Sequence, residues 1–168
     1  MNLYGFSQNI SVGLQGGLFS AQSNVTENYF FGGTNISYDR SHFSSEISAN
    51  YLNFGANGPL IEYMASAGFC TLQQKTLSFD LRFGLLFIDS KDSHKTNPIY
   101  YSQVKPALKT GFNYRVSKTQ PLIIKAFMEA NLLEASSGRV LSNTGCLKFS
   151  LGVNYLLIRK KEVLPTPN

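Results

Sequence analysis

Residues 146–158 read Cys-Leu-Lys-Phe-Ser-Leu-Gly-Val-Asn-Tyr-Leu-Leu-Ile. Leu147, Phe149, Leu151, Val153, Tyr155 and Leu157 share one parity; Cys146, Lys148, Ser150, Gly152, Asn154 and Leu156 share the other. Side chains of a strand alternate between its two faces, so this run predicts a strand with one apolar face and one small, polar face. It is longer than the usual globular strand of about 5–6 residues. It covers the roughly 9–11 residues that a tilted strand needs to cross a bilayer.

The same alternation recurs along the chain, for about eight strands in all. Residues 4–19 set Tyr4, Phe6, Ile10, Val12, Leu14 and Leu18 against Asn9, Ser11, Gly13, Gln15 and Gly17. Residues 29–39 oppose Phe30, Ile36 and Tyr38 to Gly33, Asn35, Ser37 and Asp39. Residues 43–54 oppose Phe43, Ile47, Ala49 and Tyr51 to Ser44, Glu46, Ser48 and Asn50. Residues 61–72 oppose Ile61, Tyr63, Ala65, Ala67 and Phe69 to Glu62, Ser66, Gly68 and Cys70. The clearest case starts at Leu77, with Phe79, Leu81, Phe83, Leu85 and Phe87 against Ser78, Asp80, Arg82 and Gly84. Residues 103–116 oppose Val104, Leu108, Phe112 and Tyr114 to Lys105, Lys109, Gly111, Asn113 and Arg115. Residues 122–134 oppose Leu122, Ile124, Ala126, Met128 and Leu132 to Lys125, Phe127, Glu129 and Asn131. This seventh segment is rich in helix formers. Its alternating neighbours assign it to the sheet, because a closed sheet needs its missing member.

The connections alternate as well. Short turns fall near 39–42, 73–75 and 117–120, and longer polar links near 20–28, 55–60, 89–100 and 135–144. Short turns on one rim and longer links on the other describe an up-and-down barrel crossing an outer membrane. The termini and short turns then lie on the periplasmic rim. The expected division is a transmembrane barrel over residues 1–158 and a flexible periplasmic tail over 159–168, which holds Pro165 and Pro167.

Composition decides which faces point outward. Charged residues make up 15% of the 168-residue chain, against about 25% in soluble domains. No apolar run approaches the roughly 20 residues of a membrane-spanning helix. The polar faces hold mainly Gly, Ser and Asn, which fit the crowded interior of an eight-stranded barrel. They also carry both signs of charge: Asp39, Glu46, Glu62, Asp80 and Glu129 with Arg82, Lys105, Lys109, Arg115, Lys125 and Lys148. Such charges can pair across a narrow lumen, as buried charges must. The expected architecture is therefore all-β: an eight-stranded antiparallel up-and-down transmembrane barrel, apolar outside, with a plugged lumen. The apolar-inside alternative is a soluble lipocalin-like barrel that binds a lipophile.

On these features the chain resembles the small eight-stranded outer-membrane barrels of the OmpA/OmpX-type class, over nearly its whole length. Ser150, Gly152, Tyr155 and Leu157 match the β-signal of the last strand in that class. The resemblance implies residence in the bacterial outer membrane, contact with its lipid, and reading of that strand by the barrel-assembly machinery. It departs in running on to Asn168, where members of the class often end on an aromatic residue.

The inventory for chemistry is thin. With no CxxC or HExxH, no metal site is expected. Scattered strand glycines form no phosphate loop, and no cofactor is expected. The net charge of +5 comes with no basic stripe interleaved with aromatics, so nucleic acid is not an expected partner. Cys70 and Cys146 fall at different heights and read as free thiols. No signal peptide is recognisable at Met1. His94, with Ser93, Asp89 and Asp92, is the one local group of the composition used by lipid A-modifying barrel enzymes, which gives the enzymatic alternative. The non-enzymatic reading is a structural or interaction protein, an accessory to a larger envelope assembly, meeting partners through its outer links or its wall. His94, Pro98, Tyr100 and Tyr101 are the candidate contact residues of the longest link, since Tyr gives large contact area at low entropic cost.

Overall fold

The computed structural model describes residues 7–21, 27–53, 59–71, 76–92, 99–117, 120–131 and 147–161. Eight strands follow one another: β1 (Ser7–Ala21), β2 (Glu27–Arg40), β3 (Phe43–Asn53), β4 (Pro59–Cys70), β5 (Leu77–Asp92), β6 (Ile99–Arg115), β7 (Leu122–Asn131) and β8 (Leu147–Lys161). Each pairs antiparallel with its sequence neighbours, and β8 pairs with β1 to close the barrel. Closure leaves no sheet edge along the paired length, which a strand crossing lipid requires. The seventh segment is a strand despite its helix formers. Its ladders to β6 and β8 satisfy backbone groups that a helix there would leave unmatched on both neighbours.

The wall is inverted relative to a soluble barrel. Phe83 and Leu85 are each 60% exposed, whereas Asp80 and Arg82, on the other parity of the same strand, are fully buried. β3 alternates without a break: Phe43, Ile47 and Tyr51 face out, and Ser44, Glu46, Ser48 and Asn50 face in. Apolar side chains outside and polar ones inside match a barrel whose solvent is lipid. Exposed aromatics lie towards both rims. Phe43, Phe69, Phe112, Tyr114 and Tyr155 are on the side of the termini, here called the terminal rim, and Phe30, Tyr63 and Phe87 are on the opposite link rim. Tyr4 and Phe6 lie outside the described residues.

Three strand ends depart from the alternation read in the sequence. First, the ladder of β1 and β8 shifts register between Ile10 and Ser11: Ile10 pairs with Ile158 and Ser11 with Leu156, so Leu157 is an extra residue. The bulge puts Leu157 and Ile158 both on the outside, 55% and 44% exposed. Second, β8 runs on to Lys161, paired with Ser7, so the strand continues past the expected start of the tail at residue 159. Third, the expected link 89–100 is ladder at both of its ends, and residues 93–98 lie outside the described residues. Asp89 pairs with Ser102, Ser90 with Tyr101, Lys91 with Tyr100 and Asp92 with Ile99. Polar composition does not stop a hairpin ladder, because its hydrogen bonds are made by the backbone.

At the terminal rim, β2 and β3 join through Ser41 and His42 alone, with Ser41 in the left-handed region at φ 52°. A two-residue hairpin needs such a backbone to follow the twist of its strands. The Cys70 thiol is buried and donates to the Ser41 carbonyl oxygen at 3.5 Å; Cys146 lies outside the described residues.

Candidate functional site

The inward faces of the strands bring eleven charged residues named from the sequence into one lumen. Arg115 is half-buried at the terminal rim, and the other ten are buried. Glu46 on β3 is the centre of the lower group. It receives Lys109 at 2.5 Å, Arg82 at 3.0 Å and Lys125 at 3.1 Å, and the Ser37 hydroxyl donates to it at 3.0 Å. Arg82 also pairs with Asp80. Ser44 donates to Asp39 at 2.7 Å and lies 3.5 Å from Asp80. The upper group is built on Lys148 of β8, which bridges Glu62 of β4 and Glu129 of β7, the latter at 2.7 Å. Lys105 is buried on β6.

These contacts cross the bore. Glu46 belongs to β3, and its partners Lys109 and Lys125 belong to β6 and β7, which are not neighbours of β3 in the sheet. The buried acids Asp39, Glu46, Glu62, Asp80 and Glu129 match five buried bases, Arg82, Lys105, Lys109, Lys125 and Lys148. A neutral, paired interior is the condition under which charges survive removal from water.

Phe127 on β7 sits among the cations. Lys109, Arg82 and Lys125 lie 4.8, 5.1 and 6.0 Å from its ring centroid. The negative face of the ring attracts cations at such distances. Gly111, paired with Phe127 across β6 and β7, makes the room: a Cβ there would fall 2.6 Å from Phe127 Cδ1 and 2.1 Å from the Ala126 carbonyl.

Two features of the lumen escaped the sequence reading. One is an uncharged relay of side-chain amides. Asn154 donates to Asn35 at 2.6 Å and to Ser11 at 3.1 Å, Asn35 to Gln15 at 3.3 Å, Gln15 to Asn50 at 2.7 Å, and Asn50 to Glu62 at 3.0 Å. It links the wall of β8, β1, β2 and β3 to the upper ionic group. The other is an apolar layer at the link rim, where Phe19, Phe31, Leu52, Leu60, Met64, Leu86, Ile88 and Ala107 pack inside the barrel. Phe19 stacks on Tyr29 at 5.4 Å. Continuing the inward parity one step past the polar residues, from 17 to 19, 33 to 31, 50 to 52, 62 to 60 and 84 to 86, would have found this layer. Below the ionic groups, Asp39, Ser78, Asn113, Arg115 and Lys125 line a void of about 20 Å³, which is room for about one water molecule.

The remaining named residues separate. Ser150 is half-buried and Gly152 buried, while Tyr155 and Leu157 are exposed on the outer wall. Tyr100 and Tyr101 belong to β6, in ladder with β5, and His94 and Pro98 lie outside the described residues. Among the described residues, no group of three or more His, Cys, Asp or Glu side chains could hold a metal ion. The lumen network is thus the one assembled group among the named candidates.

No family profile and no curated protein matches the sequence. Solved structures match the fold. Neisserial surface protein A aligns over 92% of this chain and 99% of its own, with 16% identity and a TM-score of 0.61. Ail, the attachment invasion locus protein of Yersinia pestis, aligns over the same shares with 17% identity and a TM-score of 0.61. The N-terminal β-barrel domain of Pseudomonas aeruginosa OprF aligns over 87% and 96%, with 16% identity and a TM-score of 0.55. The chain has the fold of the small eight-stranded transmembrane β-barrels of bacterial outer membranes.

Proposed function

We propose that this chain is a non-enzymatic integral protein of the bacterial outer membrane, with a plugged lumen, acting as a scaffold for interaction and as an accessory to a larger envelope assembly. The carrying observation is the set of ion pairs across the lumen, centred on Glu46 and on Lys148. A bore crossed by paired, desolvated side chains offers no water path, which leaves the link rim and the lipid-facing wall as working surfaces. Rigid scaffolds with recognition on their connections are a general pattern. Ail, of the same fold, has been solved with the heparin analogue sucrose octasulfate, so such a scaffold can hold a ligand. Ser150, Gly152, Tyr155 and Leu157 are the residues proposed to be read by the assembly machinery.

Two measurements test this reading. Purified monomer in planar bilayers is expected to show no stable ohmic conductance of porin size, and such a conductance would refute the plug. Residues 93–98 can be replaced by a Gly/Ser link and the co-purifying proteins compared. Loss of a partner with the barrel still folded supports recognition at the link rim. Retention of every partner at unchanged affinity moves recognition to the wall.

A further inference from the structure

The outer wall is stepped at the terminal rim. Among the described residues, β4 and β5 are last joined at Thr71, whose N–H donates to the Phe79 carbonyl at 2.8 Å, whereas β5 and β6 stay paired down to Leu77 and Tyr114. A groove of about 610 Å³ occupies the step. Phe69, Leu77, Phe79, Leu81 and Phe112 supply its apolar lining and His42 and Thr71 its polar border, and the buried Cys70 and Ser78 also line it. Arg40 stands beside it. It is exposed and has the outward parity of Ile36 and Tyr38; it pairs with Phe43, which pairs with Phe69. Two strand spacings, about 10 Å, therefore separate the Arg40 backbone from that of Phe69.

We propose that this step binds one anionic glycerophospholipid of the periplasmic leaflet, with its phosphate at Arg40 and His42 and one acyl chain in the groove. The proposal rests on the terminal rim facing the periplasm. Phe69, Leu77, Phe79 and Phe112 of its lining are exposed on the outer wall, so the groove can fill from the bilayer. Phe69 at its edge is 74% exposed and offers ring surface to a hydrocarbon chain. Arg40 is a fixed cation on the same face, at the end of its strand, where the wall meets the head groups. A guanidinium matches a phosphate with two parallel hydrogen bonds. An apolar channel with a cation at its wet end is complementary to an anionic lipid and not to a free anion or a neutral hydrocarbon.

The chain contains no Trp, so a single introduced indole reports on its own surroundings. Phe79→Trp places it in the groove. Tyr155→Trp places it on β8, on the opposite side of the barrel and also near the terminal rim. The full chain is reconstituted in phosphatidylcholine vesicles containing brominated phosphatidylglycerol or brominated phosphatidylcholine. Preference for phosphatidylglycerol is expected to be about fivefold higher at the groove, the factor one basic contact with an anionic lipid surface supplies. Arg40→Gln is expected to abolish that excess at position 79 and to leave position 155 unchanged. Equal preference at both reporters would overturn the proposal, as would an excess that survives Arg40→Gln combined with His42→Asn. Should a Trp variant fail to fold, native mass spectrometry of the chain without Trp decides the matter. Retention of phosphatidylglycerol equal in wild type and Arg40→Gln overturns the proposal, and loss in Arg40→Gln sustains it.

Discussion

Glu46 shows how much one side chain carries here. It faces Arg82, Lys109 and Lys125 with its carboxylate almost wholly buried. Removing it leaves three cations in a low-dielectric bore with Asp80 and Asp39 as the nearest acids of that group. Breaking a buried pair by deleting one partner costs about 3–5 kcal/mol, because the other charge stays buried and uncompensated. Glu46→Ala is therefore expected to lower stability by about 3–5 kcal/mol, read as a shift in urea unfolding in detergent micelles. A loss under 1 kcal/mol would show that water reaches the cations. The double mutant Glu46→Met, Lys109→Met, which removes one acid with one base and leaves Arg82 and Lys125 against Asp80 and Asp39, is expected to recover much of the loss, since apolar replacement of buried ions is often neutral or stabilising. The sequence put every member of this group on an inward parity. It could not say which acid would meet three bases, since that depends on which strands face one another across the closed bore.

At the scale of strands, period-2 patterning located all eight segments, because each strand contacts lipid on one side and lumen on the other. Ends were less legible. The bulge at Leu157 and the ladder from Asp89–Ser102 to Asp92–Ile99 depend on pairing with a neighbour and not on the composition of the strand itself. The amide relay was on the page as inward Asn and Gln residues but lacked a partner map. Lipid exposure gives a direct test of the pattern. Phe83 is 60% exposed and lies near the middle of the apolar run of β5, between Leu77 and Phe87. Phe83→Arg is expected to cost about 2–4 kcal/mol, the depth-dependent penalty for a cation at the bilayer midplane. Arg placed at Tyr114, close to the terminal rim, is expected to cost only about 0–1 kcal/mol. Equal penalties in reversible unfolding from lipid vesicles would show that Phe83 does not sit at the midplane.

The whole barrel is layered. An apolar layer fills its link end, two ionic groups joined by amides fill its middle, and a small polar vestibule stands at the terminal rim. Salt separates this arrangement from an open, wet bore. Mobile ions screen charges that water reaches, with a Debye length of about 10 Å at 0.1 M and about 3 Å at 1 M, but they screen buried pairs much less. The side chains of the ion pairs here are between 0% and 8% exposed. Raising NaCl from about 0.1 M to about 1 M is therefore expected to leave the thermal or urea midpoint of the detergent-solubilised barrel nearly unchanged. An ion-filled lumen predicts the opposite, because screening would weaken the contacts of Glu46 and Lys148 together and the midpoint would fall. Glu46→Ala serves as the internal control. Its uncompensated cations would draw in water and anions, so its midpoint is expected to rise with salt while that of the parent stays flat. A parent midpoint that falls with salt would mean that the lumen is open to solvent from one rim or both.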